Sequence, residues 1–428
     1  MSVPTVISQL MTVIYNTADT FFVSKIGTSA SAAVGIVFSV MSIIQALGYG
    51  ICMGTSSLIS IYLGEKRDDE ANKISSSGLF ASVVMGLVIG ILGLIFLEPL
   101  MKILGSTDTI LPYACSYAKF IFAGAPIMCG SFLLNAILRA EGESGLSMIT
   151  HLIGGAANII LDPILIFKFN LGTAGAAIAT VMSQLVSLIL MAIVFATGRS
   201  NVKVSVKCIS RKAATYKKII LTGIPTICRQ SLGSISSALL NRQASIYGDA
   251  AVAAVTIANK VYTLVRGVTL GIGQGFQPVA GYNFGAGDKK RTGKSFIWAC
   301  IYGSVICCSF AVVIAFFPSR IIGFFRDDAA VVEIGTKTLQ FLCLSMPVLG
   351  YSTFVNQLYQ SLGFKGRATF LACCRQGIFF IPALYILTHF FGIIGIEAVQ
   401  SVGDIMTLFV SIPFQIWFFK NILKEKEV

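Results

Sequence analysis

Stretches of about 20 apolar residues, each long enough to cross a bilayer as a helix, follow one another along this 428-residue chain with only short polar connectors between them. Inside hydrocarbon every backbone N–H and C=O must be satisfied within the protein, which leaves helices or a closed barrel as the spanning solutions. Runs of this length, without strict alternation, select helices. The balance agrees: 55% apolar and 12% charged residues, with a mean hydropathy of +0.82, against about 45–50% and about 25% in soluble chains. The expectation is an all-α membrane protein of about twelve transmembrane helices, centred near Val13, Ile44, Val88, Ala123, Ile159, Val186, Gly233, Leu264, Ile306, Met346, Phe379 and Leu408. The first run (Pro4 to Val23) has neither a basic leader nor a small-residue cleavage site, so it reads as a span and not as a cleaved signal, and whether residues precede Met1 is left open. The eleven cysteines form no C-x-x-C and lie mostly in apolar runs, where they act as small hydrophobes.

The two halves of the chain repeat each other. Pro4 matches Pro225, Gln9 matches Gln230, Gly50 matches Gly271, Gly64 matches Gly285, Lys73 matches Lys294 and Gly142 matches Gly363, always at an offset of 221. Six spans per half mean that both halves enter the membrane in the same sense. That is a parallel repeat, the arrangement of two-lobed transporters. The longest polar connector divides the chain into an N-lobe (1–198), a linker (199–218) and a C-lobe (219–428).

The net charge of +13 resides in the connectors. Those after the even-numbered spans, together with the tail (Lys420, Lys424, Lys426), hold twenty lysines and arginines, and the opposite connectors hold five. Positive-inside orientation accounts for this without nucleic acid and puts the linker and the C-terminus in the cytoplasm of a protein of the inner membrane.

Against this apolar background the run Asn158-Ile-Ile-Leu-Asp162-Pro163 stands out. An ionisable residue at membrane depth costs a few kcal/mol (~3 on insertion scales) and is a functional-site hypothesis by default. Asn158 and Asp162, four apart, share a helix face, and Pro163 crowds the carbonyl of Ile159. Oxygens so gathered suit a small cation or a proton-accepting aspartate; the plain alternative is a polar pair that pins helix packing. Asp19 is the other acid deep in an N-lobe span. Two such carboxylates, if near each other, would disfavour joint ionisation, raising one pKa, or would together bind a cation.

In the second half, Gly273-Gln274-Gly275-Phe276-Gln277-Pro278-Val279-Ala280-Gly281-Tyr282-Asn283-Phe284-Gly285-Ala286 resembles the eighth-helix signature of the multidrug and toxic-compound extrusion (MATE) family. Tyr15-Asn16-Thr17-Ala18-Asp19-Thr20-Phe21-Phe22-Val23 is similar to its first-helix motif, and Leu138-Arg139-Ala140-Glu141-Gly142 and Leu161-Asp162-Pro163 resemble its fourth-to-fifth-helix region. The likeness spans the whole chain and looks closest to the bacterial multidrug-exporter branch. It implies a secondary-active antiporter that exports amphipathic, cationic small molecules in exchange for H⁺ or Na⁺ by alternating access. It also implies a cation site at Asp19, Asn158, Asp162 and Thr180. No cofactor beyond the coupling ion is expected, and the partners are small-molecule substrates and membrane lipids, with the chain acting as a monomer.

The sequence departs from branches of the family that carry acids in the C-lobe. Leu240 stands at the position equivalent to Asp19, the tenth helix has Asn356 and Gln357, and Arg229, Arg242, Lys260 and Arg266 lie in or beside helices 7 and 8. These four read as snorkelling or paired with lipid phosphate, with Asp404 and Glu397 as their candidate partners. Facing a cleft instead, they would favour anionic or zwitterionic cargo. Adaptable Met, Phe and amide side chains suggest Phe38, Met41, Gln45, Met53, Met128, Asn135, Gln274 and Gln277 as cargo contacts. Gly48, Gly50 and Gly54, repeated as Gly271, Gly273 and Gly275, suggest close helix contact or bending. His151 and His389 have no metal-ligand spacing, and there is no Walker A, H-E-x-x-H or G-x-S-x-G. An enzyme therefore ranks far behind a transporter. The nearer alternative is a flippase for lipid-linked precursors, with the C-lobe basic residues holding a pyrophosphate.

Overall fold

The computed structural model describes residues 1–326 and 328–423, so Lys424 and Lys426 lie outside the described residues. Among the described residues twelve long helices follow one another: α1 (Ser2–Ser24), α2 (Thr28–Gly64), α3 (Asp68–Ile95), α4 (Leu111–Ala140), α5 (Ser144–Pro163, continuing as π-helix Ile164–Lys168), α6 (Gly172–Ala196), α7 (Ala213–Ser245), α8 (Asp249–Gly285), α9 (Lys289–Phe316), α10 (Ala329–Ser361), α11 (Lys365–Cys373 and Phe380–Phe391, joined by π-helix Cys374–Ile378) and α12 (Ile393–Phe418, continuing as π-helix Phe419–Leu423). Two short helices, Leu97–Ile103 and Pro318–Phe325, follow α3 and α9 and have no counterpart in the hydropathy reading. Among the described residues nine of the twelve are long and apolar enough to cross a membrane by composition; α1, α7 and α8 are not. Those three carry Asp19, Arg229 and Arg266 among other polar residues.

The offset of 221 holds for helix boundaries as well as for residues. Thr28 and Asp249 open α2 and α8, Gly64 and Gly285 close them, and Asp68 and Lys289, Ser144 and Lys365, and Gly172 and Ile393 begin equivalent helices. Helices α4 and α10 end in the same way. Gly142 (φ +105°) and Gly363 (φ +79°) turn left-handed. The N–H of Glu143 reaches the Leu138 carbonyl and that of Phe364 reaches the Tyr359 carbonyl, both at 2.9 Å. This is the glycine-terminated closure in which the residue after the cap returns to the last helical turn. The two lobes share one more bond: Asn135 Nδ2 donates to the Ser147 carbonyl at 3.1 Å, and Asn356 Nδ2 to the Ala368 carbonyl at 2.6 Å.

The chain forms two compact units, divided within α7 between Ile227 and Cys228. The reason is that the 199–218 connector and the first half of α7 pack on the first unit. The Lys203, Ser205 and Ser210 N–H groups donate to Asn72 Oδ1 (2.6 Å), Ser76 Oγ (3.1 Å) and Ser77 Oγ (2.9 Å) at the start of α3. Gly54 then meets α7 at backbone distance, where a Cβ would stand 2.9 Å from the Gly223 nitrogen. The close contact expected of the α2 glycines is made there.

In the first unit Met41, Ile44, Ile59, Tyr117, Phe122 and Met128 belong to one buried apolar cluster. In the second, Tyr262, Leu339, Leu342, Met346 and Leu349 form another. Around them the helices are inverted relative to a soluble protein. On α3 Ser75, Ser76, Ser77 and Ser82 are buried while Ile91, Leu92 and Ile95 are exposed. Small polar residues bond between helices, as Ser82 Oγ does to the Cys129 carbonyl at 2.9 Å, and large apolar ones face lipid. The protein is an integral membrane protein.

Candidate functional site

Four helices of the first unit converge on a buried acid pair. Helix α5 brings Asn158 and Asp162, one turn apart, with Asn158 Nδ2 donating to Asp162 Oδ1 at 3.4 Å. Pro163 ends the regular α-helix immediately after the aspartate, and the chain continues as a π-turn, a distortion frequent at functional sites. Helix α1 supplies Asp19, α6 supplies Thr180, and α4 supplies Tyr117, whose hydroxyl donates to Asp19 Oδ2 at 3.3 Å. That hydroxyl also adjoins Thr180 and lies within Coulombic reach of Asp162. Asp19, Asn158, Asp162 and Thr180 are only 9%, 1%, 0% and 6% exposed.

The hydrogen bonding of this site is incomplete. Among the described residues, Asp19 Oδ1, Asn158 Oδ1 and Asp162 Oδ2 are buried acceptor oxygens without a donor. Asp162 lies within Coulombic reach of Asp19, and among the described residues neither carboxylate forms a salt bridge. A buried oxygen left unsatisfied costs about 1–3 kcal/mol, more when charged. Three in one place make a locus for a proton or for a hard cation that prefers oxygen ligands. Two turns before Asn158 on α5, His151 Nε2 is 3.0 Å from Thr12 Oγ1 and meets the Tyr15 ring edge-on, which ties α5 to α1.

All four residues expected at the site are thus on helices that meet around Tyr117. Tyr117 itself carried no sequence signal, because an aromatic residue in an apolar span is ordinary. Of the cargo candidates, Met41 and Met128 lie in the first unit's apolar core, with the Met41 sulfur 3.9 Å from the Tyr117 hydroxyl. Met53 and Asn135 are buried, while Phe38 is exposed and Gln45 partly so. In the second unit Gln274 is partly buried, and Gln277 is buried with both amide atoms unpartnered.

At the equivalent places of the second unit stand Leu240, Phe379, Ala383 and Ser401. Its charge lies elsewhere. The buried Asp404 pairs with Arg375 (Nε to Oδ1, 2.6 Å), accepts from the Tyr262 hydroxyl at 2.5 Å and from Gln400 Nε2 at 3.1 Å. Of the four basic residues for which Asp404 was the candidate partner, Arg266 lies within its Coulombic reach, but its ion-pair partner is Arg375, on the neighbouring helix and in the π-turn. An arginine inside an apolar span is the same signal that singled out Asp162, and it was available there. Arg242 and Lys260 are exposed, whereas Arg229 donates to Asn356 Oδ1 at 3.1 Å.

The sequence profile of the MatE family matches residues 4–164 and again residues 225–386, once in each half. The chain belongs to the MATE family. It is 29% identical over 398 residues to the multidrug export protein MepA of Staphylococcus aureus (strain NCTC 8325 / PS 47), covering 92% of this chain and 87% of that protein. Its identity to the protein of the same description from Staphylococcus saprophyticus is 28%, with the same coverage. A solved structure described as the outward-facing conformation of a multidrug resistance MATE family transporter of the MOP superfamily superposes with a TM-score of 0.93 at 26% identity, covering 97% of this chain and 94% of that one. A second, a MOP superfamily transporter from Pyrococcus furiosus Vc1 for which a reversed polarity of the binding pocket suggests a different function, gives 0.94 at 25% identity over 99% and 96%. This MATE chain is accordingly a membrane transporter with two repeated lobes, and no enzymatic role attaches to the family.

Proposed function

We propose that the protein is a secondary-active antiporter that exports amphipathic small molecules, cationic ones among them, in exchange for H⁺ or Na⁺ by alternating access. The observation that carries this reading is the set of three unsatisfied oxygens on Asp19, Asn158 and Asp162, buried in the first lobe. In the mechanism the coupling ion enters this locus and completes it. Tyr117 holds Asp19 toward Thr180, and Asn158 holds Asp162 on α5. An ion that binds one packing of α1, α4, α5 and α6 better than another shifts the lobe between them by its differential affinity. That shift is what coupling cargo movement to a gradient requires. The multidrug cargo is supported by the descriptions of the relatives. The charge of the connectors supports an inner-membrane protein with its linker on the cytoplasmic side; a monomer is part of the same reading.

The test is efflux of a fluorescent lipophilic cation from energised cells carrying wild type or Asp162→Asn, with and without Na⁺. The expected result is export by wild type and loss of at least about tenfold in a variant that still reaches the membrane, with Na⁺ dependence naming the ion. Export by Asp162→Asn at the wild-type rate would sink the assignment. The basic residues of the second lobe favour a second reading, a flippase for lipid-linked precursors. Transport unchanged by charge reversal at Arg266 would remove it.

A further inference from the structure

In the second lobe a groove of about 370 Å³ lies between the first turns of α10 and α12, lined by Lys337, Gln340, Phe341, Leu344, Ile394 and Glu397. Sites for small molecules hold about 300–1,000 Å³. One turn further along both helices the groove is closed off: Ser401 Oγ donates to the Phe341 carbonyl at 2.6 Å, and Ser345 Oγ donates to Ser401 Oγ at 3.4 Å. The mouth is apolar and opens outward, with Leu344 68% and Ile394 50% exposed, and on a membrane helix such residues meet lipid. The 33 residues of α10 rise about 50 Å, against about 30 Å of hydrocarbon. Its first turns therefore stand at the level of the headgroups.

Inside the groove the lining is charged. Glu397 is 2% exposed, and its Oε2 is buried without a donor among the described residues. Lys337, at the lip, is paired with Glu333 one turn earlier (Nζ to Oε1, 2.8 Å), and both lie within Coulombic reach of Glu397. One ammonium thus answers two carboxylates, and among the described residues the buried one forms no salt bridge. Packing does not demand an acid there, because 221 residues earlier the first lobe has the buried Ala176. A buried carboxylate that lacks a donor calls for a cationic one. A primary ammonium supplies three N–H donors, whereas a trimethylammonium has none. The exposed Gln340 amide and the Lys337 ammonium, both on α10, suit a phosphate, since an exposed ion pair such as Lys337–Glu333 is weak.

We infer that this groove seats the headgroup of a phospholipid with a primary amine, the ammonium on Glu397 and the phosphate at Lys337 and Gln340. The headgroup bridges α10 and α12, and its chains leave over Leu344 and Ile394. This site is independent of the coupling ion and of the cargo.

The test uses the full chain, purified in a neutral detergent, and calorimetric titration with the dihexanoyl forms of phosphatidylethanolamine, phosphatidylcholine and phosphatidylglycerol, with hexylammonium as control. Wild type binds the ethanolamine lipid saturably and at least about tenfold more tightly than the other two, the worth of a charged hydrogen-bonding partner. Glu397→Gln removes that preference. Leu344→Trp, on the exposed face where folding is not at stake, fills the mouth and lowers the affinity without altering charge. Lys337→Gln weakens binding of the ethanolamine lipid and leaves hexylammonium unaffected. Equal binding of the ethanolamine and choline lipids by wild type overturns the inference, as does one affinity shared by wild type, Glu397→Gln and Leu344→Trp. A preference for phosphatidylglycerol overturns it too. Hexylammonium bound as tightly as the ethanolamine lipid removes the phospholipid and leaves a site for cationic amphiphiles.

Discussion

At Asp19, Asn158, Asp162 and Thr180 the first lobe gathers two carboxylates that form no salt bridge among the described residues; 221 residues on, the second lobe has Leu240, Phe379, Ala383 and Ser401. The second lobe in turn holds a buried ion pair, Arg375 with Asp404, with Arg266 within Coulombic reach of both. The backbone does not share this inversion. Helix starts, left-handed closing glycines and the Asn135 and Asn356 bonds recur at the same offset. A duplicated scaffold thus keeps what its packing requires and leaves its interior charge free to diverge. The lesson is that the two lobes are equivalent as structures and opposite as electrostatic environments.

The sharpest way to break the comparison is to remove one member of the ion pair that has no counterpart in the first lobe. Arg375→Gln leaves Asp404 buried and unpaired, and is expected to cost about 3–5 kcal/mol, read as a large fall in the thermal unfolding midpoint in detergent. Arg375→Gln/Asp404→Asn is expected to recover most of it, because two neutral amides leave no stranded charge. Equal stability of the single and double variants would contradict the pairing.

The shared scaffold predicts a matched effect of intermediate size. Asn135→Ala and Asn356→Ala each deprive a buried carbonyl, of Ser147 or Ala368, of its donor. Each is expected to cost about 1–3 kcal/mol, and the two costs are expected to agree within about 1 kcal/mol. A loss confined to one lobe would show that the repeat is geometric only.

The smallest effect concerns a feature of the first lobe alone. Glu141, in the turn after α4, accepts from Ser200 Oγ (2.9 Å) and the Val202 N–H (3.0 Å) and holds the connector to the lobe. Burial pushes its carboxyl up from the usual 4.5 to about 7. The folded state therefore binds more protons than the unfolded state between those values, and stability falls as pH rises through that window. Unfolding midpoints measured at about pH 6 and about pH 8 should differ, the lower pH being the more stable, and Glu141→Gln should flatten the difference. A slope of opposite sign would remove Glu141 as its source.

Most of this fold was written in the sequence, because span length is set by the bilayer and a repeat at constant offset survives in glycines and prolines that turns and close contacts demand. The helices that composition understates are α1, α7 and α8: lysines and arginines dilute α7 and α8, and Ser, Thr, Gln and Asn residues dilute α1. The short helices Leu97–Ile103 and Pro318–Phe325 escaped because they are too brief for a spanning window. At the site, Asn158 and Asp162 were legible as a pair through helical spacing. Tyr117 was not, since its role comes from α4 packing against α1 and nothing local marks it. The pairing of Arg375 with Asp404 needed the fold, because 29 residues and a π-turn separate the two. The connector read as a divider, yet its backbone donors are taken by Asn72, Ser76 and Ser77 of the first lobe. No charge count reveals that.

The most direct measurement is equilibrium ion binding by the purified protein, as radioactive Na⁺ uptake and, in weak buffer, proton release. It would compare wild type, Asp19→Asn, Asp162→Asn and Arg375→Gln/Asp404→Asn. If the first lobe alone holds the coupling ion, the first two variants lose binding by about tenfold or more, the worth of a charged hydrogen-bonding partner, while the double variant binds as wild type does. Undiminished ion binding by Asp162→Asn, or a loss that follows the Arg375/Asp404 pair instead, would contradict it.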